Sequence, residues 1–117
     1  MKVKELAELI DARLHLGTCS GDSEISQVHA SDTMSDLIEH AAADTLLLTT
    51  LNNNQLIRVA ELMDVPGICL VSGADPLPEL LARACAARTA ILVSPTGMEE
   101  TCRLLEAHSG SLKVTRT

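Results

Sequence analysis

The apolar residues of this chain recur with helical spacing in five places. Val3/Leu6/Ala7/Ile10, Met34/Leu37/Ile38/Ala41, Leu56/Val59/Ala60/Met63, Leu77/Leu80/Leu81/Ala84 and Met98/Thr101/Cys102/Leu105 all follow i, i+3, i+4, i+7, the pattern of a helix with one buried face. The last is the least regular, because Thr101 interrupts it. Between these segments lie continuous apolar runs at residues 45–50, 67–72 and 90–94. Continuous rather than alternating apolarity predicts strands covered on both faces, as in a parallel sheet. Two weaker strands are predicted near residues 13–16 and 25–31, joined by a Gly/Ser/Asp-rich turn over residues 17–24.

From residue 25 onward strand and helix alternate without a break. Such alternation predicts βαβ units with right-handed crossovers. The expected fold is α/β, a three-layer α/β/α arrangement around a mostly parallel sheet of four to five strands. Strand order stays open, and one antiparallel edge strand is compatible with the pattern. The first helix, over residues 3–12, closes one side of the sheet or extends a partner contact. Residues 1–108 form one domain, and residues 109–117 form a loosely held C-terminal tail.

The helix ends fit this plan. Asp32 or Thr33 caps the second helix, and Thr33-x-x-Asp36 has the form of a capping box with the shorter acid. Asn52, Asn53 and Asn54 precede the third helix and offer it a cap. Pro76 stands where the first turn of the fourth helix can spare an N–H. Ser94 or Thr96 serves the fifth.

Composition narrows the partners. Hydrophobic residues make up 46% of the 117, yet none is Phe, Tyr or Trp. The core is therefore aliphatic, and the chain lacks aromatic platforms on which bases stack. Nine Lys+Arg against sixteen Asp+Glu leave a net charge of −7, which argues against nucleic acid or an anionic membrane as the main partner. No apolar run follows Met1-Lys2-Val3-Lys4-Glu5, and runs such as Leu46-Leu47-Leu48 are far too short to span a bilayer. A cytoplasmic protein without a signal peptide is expected. No two of Cys19, Cys69, Cys85 and Cys102 have C-x-x-C spacing. Cys69 and Cys102 read as reduced core residues, and Cys19, in a turn, as the most exposed. No metal site and no cofactor are expected.

In an open α/β sheet, ligands bind beyond the carboxyl ends of the strands. Here those positions are Ser31-Asp32-Thr33, Thr49 to Asn54, Ser72-Gly73-Ala74-Asp75 and Ser94-Pro95-Thr96-Gly97. Asp32, Thr49, Thr50, Asn52, Asn53, Ser72, Gly73, Ser94, Thr96 and Gly97 are the candidate ligand-binding residues. Their hydroxyls, amides and backbone N–H groups, beside helix N-termini, suit a phosphate or carboxylate. The same residues are ordinary caps and turn formers. The four loops contain no Lys or Arg, and Asp32 and Asp75 would repel an anion unless turned away. Neither G-x-x-x-x-G-K-[ST] nor G-x-G-x-x-G occurs, which excludes a P-loop kinase or ATPase and disfavours a standard dinucleotide fold. His29, three residues before Asp32, is the one visible acid/base candidate. His40 and His108 suit helix C-termini. No catalytic residue is assigned.

Several of these segments share the pattern of a known family. Asp32-Thr33-Met34-Ser35-Asp36-Leu37-Ile38 with His40-Ala41 resembles the D-[LT]-[LM]-S-x-[VL]-[MI]-x-x-A stretch of stand-alone DRTGG domains. Leu48-Thr49 and Val59-Ala60 fall where such domains carry a strand ending in Thr and a helix containing Val-Ala. Ser72-Gly73-x-x-Pro76, Ala90 to Ser94 and the segment from Thr96 to Leu105 resemble the family's second half. The resemblance covers roughly residues 1–107. The letters Asp-Arg-Thr-Gly-Gly themselves do not occur, and Asn53 stands where some relatives carry a His.

The resemblance implies a fold like the N-terminal domain of HPr kinase/phosphorylase and the DRTGG domains of phosphotransacetylases and CBS-domain pyrophosphatases. It implies a non-catalytic regulatory module, often at dimer contacts, with lone copies near iron-hydrogenase genes in anaerobic bacteria. The expected function is a self-associating regulatory or protein-interaction module, possessing a link to hydrogenase or acetate and energy metabolism by resemblance. Exposed Leu or Met on the first and second helices would supply the homodimer contact. The alternative is a sensor of a nucleotide or small anionic metabolite at the strand ends.

Overall fold

A computed structural model describes residues 1–17, 21–108 and 112–116. The elements run α1 (Val3–Leu9), β1 (Arg13–His15), β2 (Gln27–Ala30), α2 (Met34–His40), β3 (Thr45–Thr49), α3 (Asn54–Leu62), β4 (Gly67–Leu70), α4 (Pro78–Ala87), β5 (Ala90–Val93), α5 (Met98–His108) and β6 (Lys113–Arg116). All five expected helices and all five expected strands are present. Cys19 and part of the 17–24 turn lie outside the described residues.

The strands form one sheet in the order β1-β5-β4-β3-β2-β6. Every neighbouring pair is parallel except β1 with β5. The sixth strand departs from expectation. Lys113–Arg116, expected in the C-terminal tail, pair with Gln27–Ala30 of β2 and extend the sheet.

Burial explains the layers. Leu46, Leu47 and Leu48 of β3 are all fully buried, and successive side chains point to opposite faces. Leu46 and Leu48 join Val3, Leu6 and Ala7 of α1 and Cys102 and Leu105 of α5. Leu47 joins Leu37 of α2, Leu56, Ile57 and Ala60 of α3, and Leu80 and Ala84 of α4. The result is a three-layer α/β/α fold with α1 and α5 on one side and α2, α3 and α4 on the other. Cys69 and Cys102 sit in the core as expected. Burial pushes the Cys69 thiol up to about 12 and also raises that of Cys102.

Handedness explains which helix lies where. The chain steps from β2 to β3, β4 and β5 in one direction across the sheet. Right-handed crossovers moving the same way leave their helices on the same face. From β5 the chain returns across the sheet to β6, beyond β2. A right-handed crossover in the reverse direction places α5 on the opposite face.

Some local expectations are corrected. Pro78, not Pro76, occupies the first turn of α4, whose N-cap is Leu77. Thr33 is the N-cap of α2 but makes no side-chain cap hydrogen bond, and the Asp36 carboxylate faces a histidine instead. Asn53 does cap α3, its side chain accepting from Leu56 N at 3.1 Å. Gly17, at φ 58°, is required by its surroundings: a Cβ there would lie 2.9 Å from Cys85 Sγ.

Candidate functional site

Because β2 to β5 are parallel, the loops that follow them open on one edge of the sheet. The expected convergence of the four polar loops is therefore present. The loops are laced together by hydrogen bonds. Asp32 Oδ1 accepts from Thr50 Oγ1 at 2.6 Å, joining the loops after β2 and β3. Asn52 donates to Asp75 O at 2.9 Å and accepts from Leu77 N at 3.2 Å, joining those after β3 and β4. Ser72 N donates to Thr96 O and Gly73 N to Ser94 O, each at 2.8 Å, joining those after β4 and β5.

Most of the ten candidate residues thus hold the rim together. Thr49 Oγ1 accepts from Leu51 N at 3.1 Å, and Asn53 caps α3. Ser94, Thr96 and Thr101 share a hydroxyl cluster, with Ser94 Oγ 2.8 Å and Thr96 Oγ1 2.9 Å from Thr101 Oγ1. Thr101, which interrupts the apolar spacing of α5, is therefore fully buried and satisfied. Ser72 and Gly73 both adopt positive φ, 58° and 62°, in a tight turn. Gly97 lies beside them, a Cβ there being 3.8 Å from Ser72 Oγ.

The topology singles out one part of this rim. The helices that follow β4 and β5 leave for opposite faces of the sheet. Adjacent parallel strands whose crossovers diverge in this way open a crevice at their carboxyl ends, where ligands of open α/β sheets bind. Here that position is bordered by Ser72, Gly73, Ser94, Thr96 and Gly97; the two loops are tied by the backbone hydrogen bonds from Ser72 and Gly73, and Ser94 is fully buried. A cavity of about 540 Å³ adjoins it, lined by Gly97, Met98, Glu99, Glu100 and Arg103.

Positive charge reaches the rim from elements outside the four loops. Arg13 of β1 pairs in register with Val93, the last residue of β5, because β1 runs antiparallel. Its Nη2 donates to Ala74 O at 3.1 Å and lies 3.8 Å from Asp75 Oδ1. Arg116 of β6 pairs with Ala30, the last residue of β2. One arginine stands near each end of the rim. Asp32 accepts from the Thr50 hydroxyl, a neutral donor that leaves its charge in place, and the exposed Asp75 carboxylate lies near the Arg13 guanidinium.

The histidines are arranged differently from the sequence reading. His29 does not pair with Asp32. Its Nε2 lies 2.5 Å from Asp36 Oδ2 and its Nδ1 2.6 Å from Thr115 Oγ1. The His29 ring stacks on that of His40, with centroids 3.7 Å apart and planes at 12°. His40 Nδ1 lies 3.0 Å from Asp36 O, consistent with its expected place at a helix C-terminus. The i, i+4 spacing of Asp36 and His40 was the visible signal; the approach of His29 and Thr115 was not.

A second cavity, of about 230 Å³, lies away from the rim and is lined by His15, Gly17, Leu81, Ala84, Cys85 and Ile91. His15 pairs with Ile91, toward the opposite edge of the sheet from Arg13. Neither cavity is lined by Thr115, His29 or Asp36. Their hydrogen-bonded series has the connectivity of a nucleophile–base–acid chain, but His29 is only 3% exposed.

No family model matches the chain, and no curated protein matches it. Among solved structures it is similar to the CBS and DRTGG domains of the regulatory region of Clostridium perfringens pyrophosphatase, complexed with the activator diadenosine tetraphosphate. The TM-score is 0.72 at 12% identity, over 89% of this chain. The match spans 45% of that structure's chain, less than half its length. The likeness shows a shared fold. No helix among the described residues is long and apolar enough to cross a membrane.

Proposed function

We propose that this chain is a DRTGG-type regulatory module that acts by binding rather than by catalysis. Its ligand is a nucleotide or small anionic metabolite, held at the crevice between the loops after β4 and β5. The divergence of α4 and α5 from adjacent parallel strands carries this reading, because ligands of open α/β sheets bind at such a switch in helix direction. The N–H groups at the start of α5 and the Arg13 guanidinium are the donors available to an anion, set against Glu99 and Glu100 in the first turn of α5 and Asp75 beside Arg13. The pyrophosphatase regulatory region, similar in fold, is complexed with a nucleotide activator, which supports the ligand class. Links to hydrogenase or acetate metabolism rest on the sequence resemblance alone.

Thermal unfolding against ATP, AMP, diadenosine tetraphosphate and phosphorylated metabolites tests the reading. A ligand at 100 times its Kd stabilises the native state by about 2.7 kcal/mol. We expect a saturable rise in Tm with at least one compound, reduced in Arg13→Ala. A flat response across the panel at millimolar concentration overturns it.

Self-association is a second reading, favoured by a separate observation. Leu62 is 82% exposed, with Ile38, Met63 and Leu77 also exposed. Among the large hydrophobics exposed in this way, Ile38 belongs to α2 and none belongs to α1, so the contact shifts from the first helix toward α2, α3 and the start of α4. Light scattering that finds only a 12.4 kDa species at high concentration refutes this reading.

A further inference from the structure

We propose that His29, Asp36 and His40 form a binding site for a divalent transition metal of the zinc class, separate from the rim crevice. Each residue offers one ligand atom, and these atoms lie within 4.8 Å of one another. Two imidazoles and a carboxylate are a donor set suited to zinc, nickel or iron rather than to magnesium or calcium, which prefer all-oxygen surroundings.

The surroundings prepare these groups for coordination. His29 is buried on β2, so its ring is held in place. His29 Nδ1 lies 2.6 Å from Thr115 Oγ1, so when a metal replaces the Asp36 contact at Nε2 the ring proton moves to Nδ1, where the Thr115 hydroxyl accepts it. Metal-ligating histidines characteristically have such an oxygen on the second nitrogen. Asp36 already lies beside His29 Nε2. Asp36 and His40 are one helical turn apart, on one face of α2. The His40 ring stacks on that of His29 and both lie against the Asp36 carboxylate, so coordination requires the exposed His40 ring to turn out of the stack.

Tetrahedral zinc ligands stand ~2.0–2.1 Å from the ion and so about 3.4 Å from one another, and a closed site requires a separation of 4.8 Å to shrink by about 1.4 Å. The His40 side chain, 44% exposed, has the freedom to make that adjustment. The ion would tie α2 to β2 and, through Thr115, to β6. It would therefore link the helix that follows β2 to the strand that closes the sheet.

Titration of the whole chain with ZnCl2 by calorimetry, with CoCl2 as a spectroscopic probe, tests the proposal. We expect one ion per chain and no binding of Mg²⁺ or Ca²⁺. His40→Ala removes an exposed side chain and leaves the fold intact by circular dichroism. It and Asp36→Asn each weaken zinc binding at least tenfold. The cobalt spectrum lacks a thiolate charge-transfer band. Absence of stoichiometric zinc binding overturns the proposal. So does binding that His40→Ala leaves unchanged, or a thiolate band, which assigns the ion to the cysteines.

Discussion

The centre of the sheet and its β2–β6 side are built on different principles. In β3 and β4 the side chains of Leu46, Leu47, Leu48, Ile68, Cys69 and Leu70 are fully buried. In β2 and β6 the apolar positions Val28 and Val114 alternate with His29 and Thr115, which pair across the strands. The centre is held by burial, which is non-directional and tolerates many aliphatic residues. The β2–β6 side is held in part by directional contacts among His29, Asp36, His40 and Thr115. Such contacts specify geometry more than they add net stability, because each replaces a hydrogen bond to water.

Substitutions at matched depths test that contrast. The largest effect is expected at Leu47, where Leu47→Ala should cost about 2–5 kcal/mol in urea unfolding through lost burial and a cavity. His29→Leu, on the neighbouring strand, removes a partner from both Asp36 and Thr115 and should cost about 1–3 kcal/mol. A cost at His29 equal to or above that at Leu47 would break the comparison.

A pH series sharpens it. Cys69 belongs to the centre, and its thiol is pushed up to about 12 from an ordinary 9.0 by burial. The unfolded chain therefore releases this proton first as pH rises. The contribution is complete below pH 9.0 and is lost toward about 12. Urea midpoints should fall above pH 9.0, and Cys69→Ala should flatten the fall. The smallest effect is expected at Asp44, beside β2. A hydrogen bond from Ser26 Oγ, at 2.5 Å, holds its carboxyl below the usual range. Its contribution is present above the ordinary carboxylate pKa and fades as pH falls through the lowered value. Asp44→Asn should make the acid limb of the stability curve slightly shallower, and an unchanged limb would remove Asp44 from the account.

Particular residues mark how far local pattern reaches. The continuous apolar runs placed β3, β4 and β5 correctly, because burial on both faces leaves a direct trace in the residues themselves. Asn53 was legible as a cap for the same reason: its hydrogen-bonding partner lies three residues away. The form Thr33-x-x-Asp36 was misleading because Asp36 has a stronger competitor in His29, seven residues back in the chain. Lys113–Arg116 looked like a tail because a short edge strand of polar residues has little burial to advertise. Of the candidate site, the convergence of the loops was legible, while their mutual hydrogen bonding was not.

Helical and strand periodicity determined the order of elements, their buried faces and the parallel character of the sheet, since each arises from residues close together in the chain. The strand order was decided only by tertiary structure. With it came the divergence of α4 from α5, the arrival of Arg13 and Arg116 at the rim, and the meeting of His29 with Asp36, His40 and Thr115. These depend on which strands lie side by side and in what register. A spacing pattern records the face a residue turns to the core, but the groups it meets there come from distant parts of the chain.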